Sequence, residues 1–366
     1  MADESPVIVV LPGDGIGPEV TAAALQVSEA AAGRAGLKLR TEEFPAGSTA
    51  IEACGQALPA EALEAARRAD AILFGAVGSP EPPPAGAPRP EEAVLGLRVE
   101  LDIYANLRPA LARPELAGSA ALRPELLAGT DILLVRESVD GPFFAEPRGL
   151  SVRDGVREGI DTWHYDEPTI ARVVGKACDL AGGRRGHVTS VDKANVLQTS
   201  ALWREVAHGV GDSRTEVEVQ HMLVDNAAAQ LVTEPSQFDV IVTENLFGDI
   251  LSDLFAALVG SLGMLPSATV GDDVGLFEPV HGSAPDIAGR GIANPYAAIA
   301  SASLMFRLGL GRPEVADAID AALDAVLASG ARTADVAGAD TEPLGTTEFT
   351  ERVLAALEDP IAGAAR

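Results

Sequence analysis

Residues 7–19 read VIVVLPGDGIGPE, and this stretch sets the fold class. Val7 to Leu11 is a short apolar run rich in β-branched residues, the pattern of a strand buried on both faces. Gly13, Gly15 and Gly17 interrupt it, and Pro18 stands near the start of helical spacing over residues 18–32. A strand that passes through a glycine turn into a helix is the building unit of an α/β fold. The same stretch invites a dinucleotide-fingerprint reading. Its spacing is G-x-G-x-G, however, where that fingerprint needs G-x-G-x-x-G, and no acid closes a clear second strand about 20 residues on. A tight strand-to-helix turn is the commoner meaning of such a run, and a phosphate site is the other.

The alternation continues beyond it. Strand patterns recur at residues 71–74, 131–135, 187–191 and 238–243, and helical spacing at 91–101, 249–262 and 314–328. Gly75-Ala76-Val77-Gly78 reads as a turn, and the proline-rich residues 79–90 as a loop. The length of 366 residues, at roughly 150 per domain, implies two domains, and no break in composition marks a linker. Apolar residues at 47% and charged residues at 22% exclude a disordered or collagen-like chain. No apolar run reaches the roughly 18 residues of a membrane span. Residues 1–6 hold Asp3 and Glu4 and lack the basic start of a signal peptide. Cys54 and Cys178 supply neither a disulfide framework nor a metal cage, so a cytoplasmic location is expected. The net charge of −27, from 54 acids against 27 bases, repels nucleic acid and membranes, and neither is expected as a partner. A small polyanionic substrate would be repelled too, unless an arginine cluster received it.

Candidates for such chemistry are spread along the chain. Asp249 and Asp253 stand four residues apart on one helix face, amid apolar neighbours. Their mutual repulsion is relieved either by solvent or by a hard divalent cation. Asp225 is a third acid in apolar surroundings. Arg98 shares a helical stripe with Glu91, Val94 and Leu95, Arg108 lies in NLRP, and Arg136 closes the strand DILLVR. Arginines at strand ends grip carboxylates in bidentate fashion or make surface salt bridges. Lys193, one of three lysines, directly follows a strand. His281 opens the small-residue loop HGSAPDIAG, whose amides can bind an anion or ribose, although a lone histidine is more often structural.

Together these segments resemble the β-decarboxylating dehydrogenases, the isocitrate and isopropylmalate dehydrogenase family. The resemblance spans nearly the whole chain, through LPGDGIGPEV, RPEEAVLGLR, ANLRPA, VRESVDGPFFAEPRG, TSVDKANVL, HMLVDNAAAQLV, NLFGDILSDL, SLGMLPSA and EPVHGSAPDIAGRGIANP. It implies the two-domain α/β isopropylmalate-dehydrogenase-like fold, not a Rossmann fold, in a homodimer with shared active sites. Residues 1–103 and 260–366 would form a first domain with the NAD-binding loops. Residues 104–259 would form a second, with the dimer interface and the metal site. The implied reaction is NAD⁺-dependent oxidative decarboxylation of a small 3-substituted malate, foremost 3-isopropylmalate to 4-methyl-2-oxopentanoate in leucine biosynthesis. By the same resemblance, Arg98, Arg108 and Arg136 hold the malate carboxylates. Asp249 and Asp253, with Asp225 lent by the partner subunit, hold Mg²⁺ or Mn²⁺. Lys193, also lent, takes the substrate hydroxyl proton, directly or by way of water or Asp225. Glu91, Asn195, His281, Gly282, Ser283, Ala284, Asp286, Ile287 and Asn294 match cofactor-binding positions. Asp286 can accept from a ribose 2′-hydroxyl but repels a 2′-phosphate, which selects NAD⁺ over NADP⁺.

Five positions depart from the family pattern. By the resemblance, Val94, with Leu95 beside it, would face the substituent at malate C3, where the isopropylmalate members usually carry Leu. An apolar side chain there favours an alkyl substituent over a carboxylate, and one methylene less changes transfer energy by only about 0.8 kcal/mol, too little to choose the alkyl group. Phe143 stands where the family has the tyrosine proposed as acid for the enol, and Phe has no proton to donate. Ser138, Val139 and Asp140 replace the usual Leu-Thr-Gly. These departures leave a second reading open: a paralogue of specialised metabolism oxidising a bulkier, tartrate-like or phosphonate-bearing malate. A non-catalytic dimer that kept the fold is the third reading, and the complete set of aspartates and Lys193 argues against it.

Overall fold

The structure is a computed structural model that describes residues 5–81, 84 and 86–358. The sequence expectations for residues 1–4 and for 82, 83 and 85 of the proline-rich loop lie outside the described residues. Twelve strands are described: β1 Val7–Gly13, β2 Arg40–Glu43, β3 Ala71–Ala76, β4 Ala105–Leu111, β5 Asp131–Glu137, β6 Gly149–Arg153, β7 Val156–Ile160, β8 His187–Asp192, β9 Glu218–Leu223, β10 Val240–Thr243, β11 Pro266–Val270 and β12 Gly275–Pro279. The chain divides into two compact units. One comprises Met1–Ile103, Arg113–Ala121 and Val259–Arg366, the other Tyr104–Ala112 and Leu122–Leu258.

In the first unit the strands stand in the order β2-β1-β3-β12-β11. β1 runs parallel to β2 and β3, and β11 antiparallel to β12. Ile8, Val9, Val10 and Leu11 are at most 2% exposed, as expected of a strand covered on both faces. Val9 and Leu11 join Ile72, Phe74, Ala93, Leu97 and Leu276 in one apolar cluster. The helix after the glycine turn spans Gly17–Arg34, with Pro18 in its first turn. β3 continues through Gly75 and Ala76, which the sequence reading assigned to a turn, because Gly13 stays paired with Ala76.

In the second unit the order is β4-β5-β10-β8-β9. β4 is antiparallel to β5, and the other pairs are parallel. The helical spacing expected over residues 249–262 starts earlier and breaks. The helix spans Asn245–Asp253, because the Glu244 carboxylate accepts the Leu246 and Phe247 N–H groups and caps it. A short helix Phe255–Val259 follows. β6 and β7 form a separate hairpin that leaves Leu150, Val152, Val156 and Ile160 exposed. Among the described residues no helix is long and apolar enough to cross a membrane.

Candidate active site

The second unit assembles its charged residues through sheet register. Asn106 pairs with Arg136, and Arg108 with Leu134, across β4 and β5. The two-residue period therefore sets Asn106, Arg108 and Arg136 on one face. The helix Asn245–Asp253 lies against them, with Asn245, Asp249, Ser252 and Asp253 on one stripe. Arg136, 2% exposed, donates from Nε and Nη2 to Asn245 Oδ1 at 2.9 and 2.7 Å. Its Nη1 pairs closely with Asp249. Arg108 donates to Asn106 Oδ1 at 2.8 Å and Ser252 Oγ at 2.5 Å, and lies 3.6 Å from Asp249 and 3.9 Å from Asp253. Gly248 makes the approach possible: a Cβ there would meet Arg136 Cγ at 2.7 Å.

Two buried guanidinium groups beside two acids at least 43% exposed form a compact cluster that can receive an anion and a cation together. Burial, with the neighbouring Asp249 charge, pushes the Asp253 carboxyl up. In this structure Arg108 and Arg136 offset part of the repulsion between Asp249 and Asp253, and the two carboxylates offer the hard oxygen donors that fit a divalent cation such as Mg²⁺ or Mn²⁺. Among the described residues no group of three potential metal ligands occurs within one chain, so this pair alone is an incomplete set.

Lys193 follows β8, and Asp225 lies in the first turn of the helix Val224–Thr233. Their side chains pair at 2.5 Å, and the bond from the ammonium holds the Asp225 carboxyl below its usual range. Among the described residues, no hydrogen bond or ion pair joins either to Asp249 or Asp253. Asn195 lies exposed in the turn after Lys193. Phe143 ends a short 3₁₀ turn, Gly141–Phe143, and its ring centroid lies 5.4 Å from the Arg136 guanidinium carbon, within cation–π range.

The first unit carries the other candidates. Glu91 precedes the helix Glu92–Glu100, which half-buries Val94 and Leu95 and buries Arg98. Arg98 pairs with Glu278 at 3.1 Å, yet its buried Nε has no hydrogen-bond partner. The glycine turn is braced against the loop that begins at His281. Ile16 N–H donates to Ser283 O at 2.8 Å, and a Cβ on Gly15 would come within 1.9 Å of that oxygen. Ser283 Oγ in turn donates to Gly78 O at 3.0 Å. The glycine run thus serves close backbone packing. Asp14 fits the same role, accepting from Ser48, Thr49 and Gly78 N–H groups.

His281 leaves Nε2 buried and without a hydrogen-bond partner, and burial lowers its pKa, which keeps the ring neutral. Gly282 and Asp286 are exposed, and Ala284 and Ile287 half-buried. Asn294 is held by the scaffold, donating to Asp335 at 3.0 Å and accepting from Tyr296 N. A neutral orphaned ring nitrogen and an exposed carboxylate on one loop fit the adenosine end of NAD⁺, with a purine and a vicinal diol to bind. Sequence reasoning missed Asn245, Ser252, Glu278 and Tyr165. The first three are read only from register and helix stripe. No spacing rule marked Tyr165, whose hydroxyl lies among buried acids.

Buried arginines beside acids in a two-unit α/β fold fit an enzyme that acts on small anionic substrates, and the comparisons give the class. The profile of the family described as isocitrate/isopropylmalate dehydrogenase matches residues 7–353. The 3-isopropylmalate dehydrogenase of Anaeromyxobacter dehalogenans is 50% identical over 349 residues, covering 95% of this chain and 98% of that one. That of Cupriavidus metallidurans is 50% identical over 357 residues, covering 96% and 99%. The crystal structure of isocitrate dehydrogenase from Methylococcus capsulatus superposes with a TM-score of 0.86 at 34% identity, covering 97% of this chain and 100% of that one. The chain belongs to the isocitrate/isopropylmalate dehydrogenase family and is a decarboxylating dehydrogenase that uses NAD⁺ and Mg²⁺ or Mn²⁺.

Proposed function

We propose that this enzyme oxidises and decarboxylates 3-isopropylmalate to 4-methyl-2-oxopentanoate, a step of leucine biosynthesis. The observation that carries this is the face on which Arg108 and Arg136 lie buried beside Asp249 and Asp253. The names of the relatives point to the same substrate. Arg98, Arg108 and Arg136 hold the two carboxylates, and Arg98 Nε is buried without a hydrogen-bond partner. Val94 and Leu95 face the alkyl substituent and exclude water from it. Asp249 and Asp253, completed by Asp225 of the partner subunit, hold the cation. When bound, the cation supplies Lewis acidity at the substrate oxygens, and NAD⁺ the hydride acceptor. Lys193 of the partner subunit takes the hydroxyl proton, with Asp225 as its relay. His281 and Asp286 orient the adenosine, with Glu91, Asn195, Gly282, Ser283, Ala284, Ile287 and Asn294 around the cofactor.

A homodimer with shared active sites is supported by two features. Lys193 and Asp225 make no contact with the aspartate pair within one chain, and the hairpin β6–β7 exposes apolar residues up to 76% accessible, at Leu150. Sedimentation at several concentrations tests it, and a monomer that turns over substrate at full rate would refute it.

Phe143 favours a second reading, a malate with another substituent. The ring keeps its place over Arg136 but has no proton for the enol. A panel of 3-substituted malates, with NADH and CO₂ measured separately, decides between them. The first reading requires 3-isopropylmalate to be the best substrate. Poor turnover of it beside good turnover of another member would remove the leucine assignment and keep the class. Phe143→Tyr should speed CO₂ release a few-fold more than NADH formation, well below the roughly 10²–10⁴ of a full general acid. Equal changes would show that the enol is protonated by another route.

A further inference from the structure

Beneath Arg136 lies a cluster that the reaction described above does not use. Glu137 is 0% exposed, Glu244 4% and Tyr165 6%. The Tyr165 hydroxyl sits 3.3 Å from Glu137 Oε2 and 3.3 Å from Glu244 Oε2, and accepts from Asn245 N–H at 3.0 Å. Glu137 accepts from Val139 and Asp140 N–H groups, and so holds the start of the segment that leads to Phe143. That segment also packs on the tyrosine, since a Cβ on Gly141 would lie 2.4 Å from Tyr165 Oη. Asn245 links the cluster to the site. Its N–H meets Tyr165, its Oδ1 holds Arg136, and its Nδ2 donates to Asp140 O at 2.9 Å.

A phenol has one proton and can donate it to only one of the two carboxyl groups. The other carboxyl oxygen then faces the hydroxyl oxygen, lone pair against lone pair, unless it carries a proton of its own. Two ionised carboxylates around one buried hydroxyl would also share a single nearby positive charge, that of Arg136, which Asp249 already engages, and burial makes the second negative charge costly.

We propose that Glu137, Tyr165 and Glu244 are positioning residues that share one extra proton and thereby hold Asn245 and Arg136 ready for a substrate carboxylate. The proposal rests on the functional reading above for the identity of that carboxylate. Burial, foremost, pushes Glu137 up to about 7 and raises Glu244 as well. The other charged groups facing the cluster are Asp140, whose charge raises Glu137, and Arg136, whose charge lowers Glu244. His164 pairs with Asp140 at 3.3 Å, and the neighbouring helix Gln198–Asp212 presents the ring of Trp203. Loss of the shared proton as pH rises through neutrality leaves two negative charges on one hydroxyl. Their repulsion pulls on Asn245, and through it on Arg136.

The test combines steady-state kinetics with infrared spectroscopy of the substrate-free enzyme. With 3-isopropylmalate and NAD⁺, KM for the malate should climb across neutral pH by up to about tenfold per unit, as the competent fraction falls, while KM for NAD⁺ stays level. Glu137→Gln, a neutral isostere, should flatten that climb. Tyr165→Phe should raise the malate KM several-fold at every pH. The infrared spectrum should contain a protonated-carboxyl band that titrates in the neutral range and no longer does so in Glu137→Gln. Absence of that band at mildly acid pH, or a malate KM that follows KM for NAD⁺, would overturn the proposal. The band needs no substrate, so an enzyme inactive on every malate would sink the functional reading while the band still tested the bracket.

Discussion

Two regions of the chain solve the problem of placing a site in opposite ways. In the first unit the turn from Gly13 to Gly17 meets the loop at Ser283 through backbone alone, with glycines where any Cβ would collide. Even Asp14 spends its charge there on backbone N–H groups. In the second unit the strand bearing Arg136 and the helix Asn245–Asp253 meet through charged and amide side chains. The first region carries shape and the second carries charge. A substitution in the first should therefore be felt as lost stability, and one in the second as lost turnover or binding.

The sharpest way to break that contrast is Lys193→Ala, which removes the proposed base from an exposed pair. Turnover should drop by about 10²–10⁴-fold with the unfolding midpoint unchanged. Unaltered NADH production would remove Lys193 from the mechanism. Gly248→Ala comes next, because its Cβ must displace the Arg136 stem. Misplacing a reacting group by about 1 Å costs roughly 10²-fold, so kcat/KM for the malate should fall on that scale while KM for NAD⁺ holds. Equal losses for both would show a general collapse of the unit.

Stability against pH sharpens the comparison further. Glu137 titrates near 7 in the folded chain, against 4.5 as its ordinary value. The fold binds this proton more tightly than the unfolded chain does, so stability is full below 4.5 and declines as pH rises to about 7. The loss is on the order of 3 kcal/mol. Urea denaturation at a series of pH values should show that slope in the parent and a flatter one in Glu137→Gln. Gly15→Ala tests the first region, because its Cβ would lie 1.9 Å from Ser283 O. Left-handed strain alone costs about 1–3 kcal/mol, visible as a lower urea midpoint. KM for NAD⁺ should rise in the same variant, because the Ser283 loop must retreat. A midpoint equal to the parent's would mean that the turn yields without cost.

Much of this protein is legible along the chain. VIVVL, DILLV and the glycine turn are local patterns, and each became the strand or turn its spacing implied. The arginines and aspartates stood out as charges in apolar company. Their partners did not. Asn245 and Ser252 look like ordinary helix residues until β4 and β5 set Arg108 and Arg136 on the face the helix covers. Glu244 falls outside the usual capping residues, so the helix began four residues earlier than its apolar spacing implied. Tyr165 looks unremarkable between a histidine and an aspartate.

By itself, then, the order of residues determined the alternation of strand and helix, the family resemblance and the charges available for chemistry, because periodicity and turn preference act over a few neighbours. Which charge meets which, whether a carboxyl keeps its proton, and why Gly15 and Gly248 admit no side chain were decided by the tertiary structure. Those outcomes depend on register, burial and close approach between segments far apart in the chain, and no local pattern encodes them.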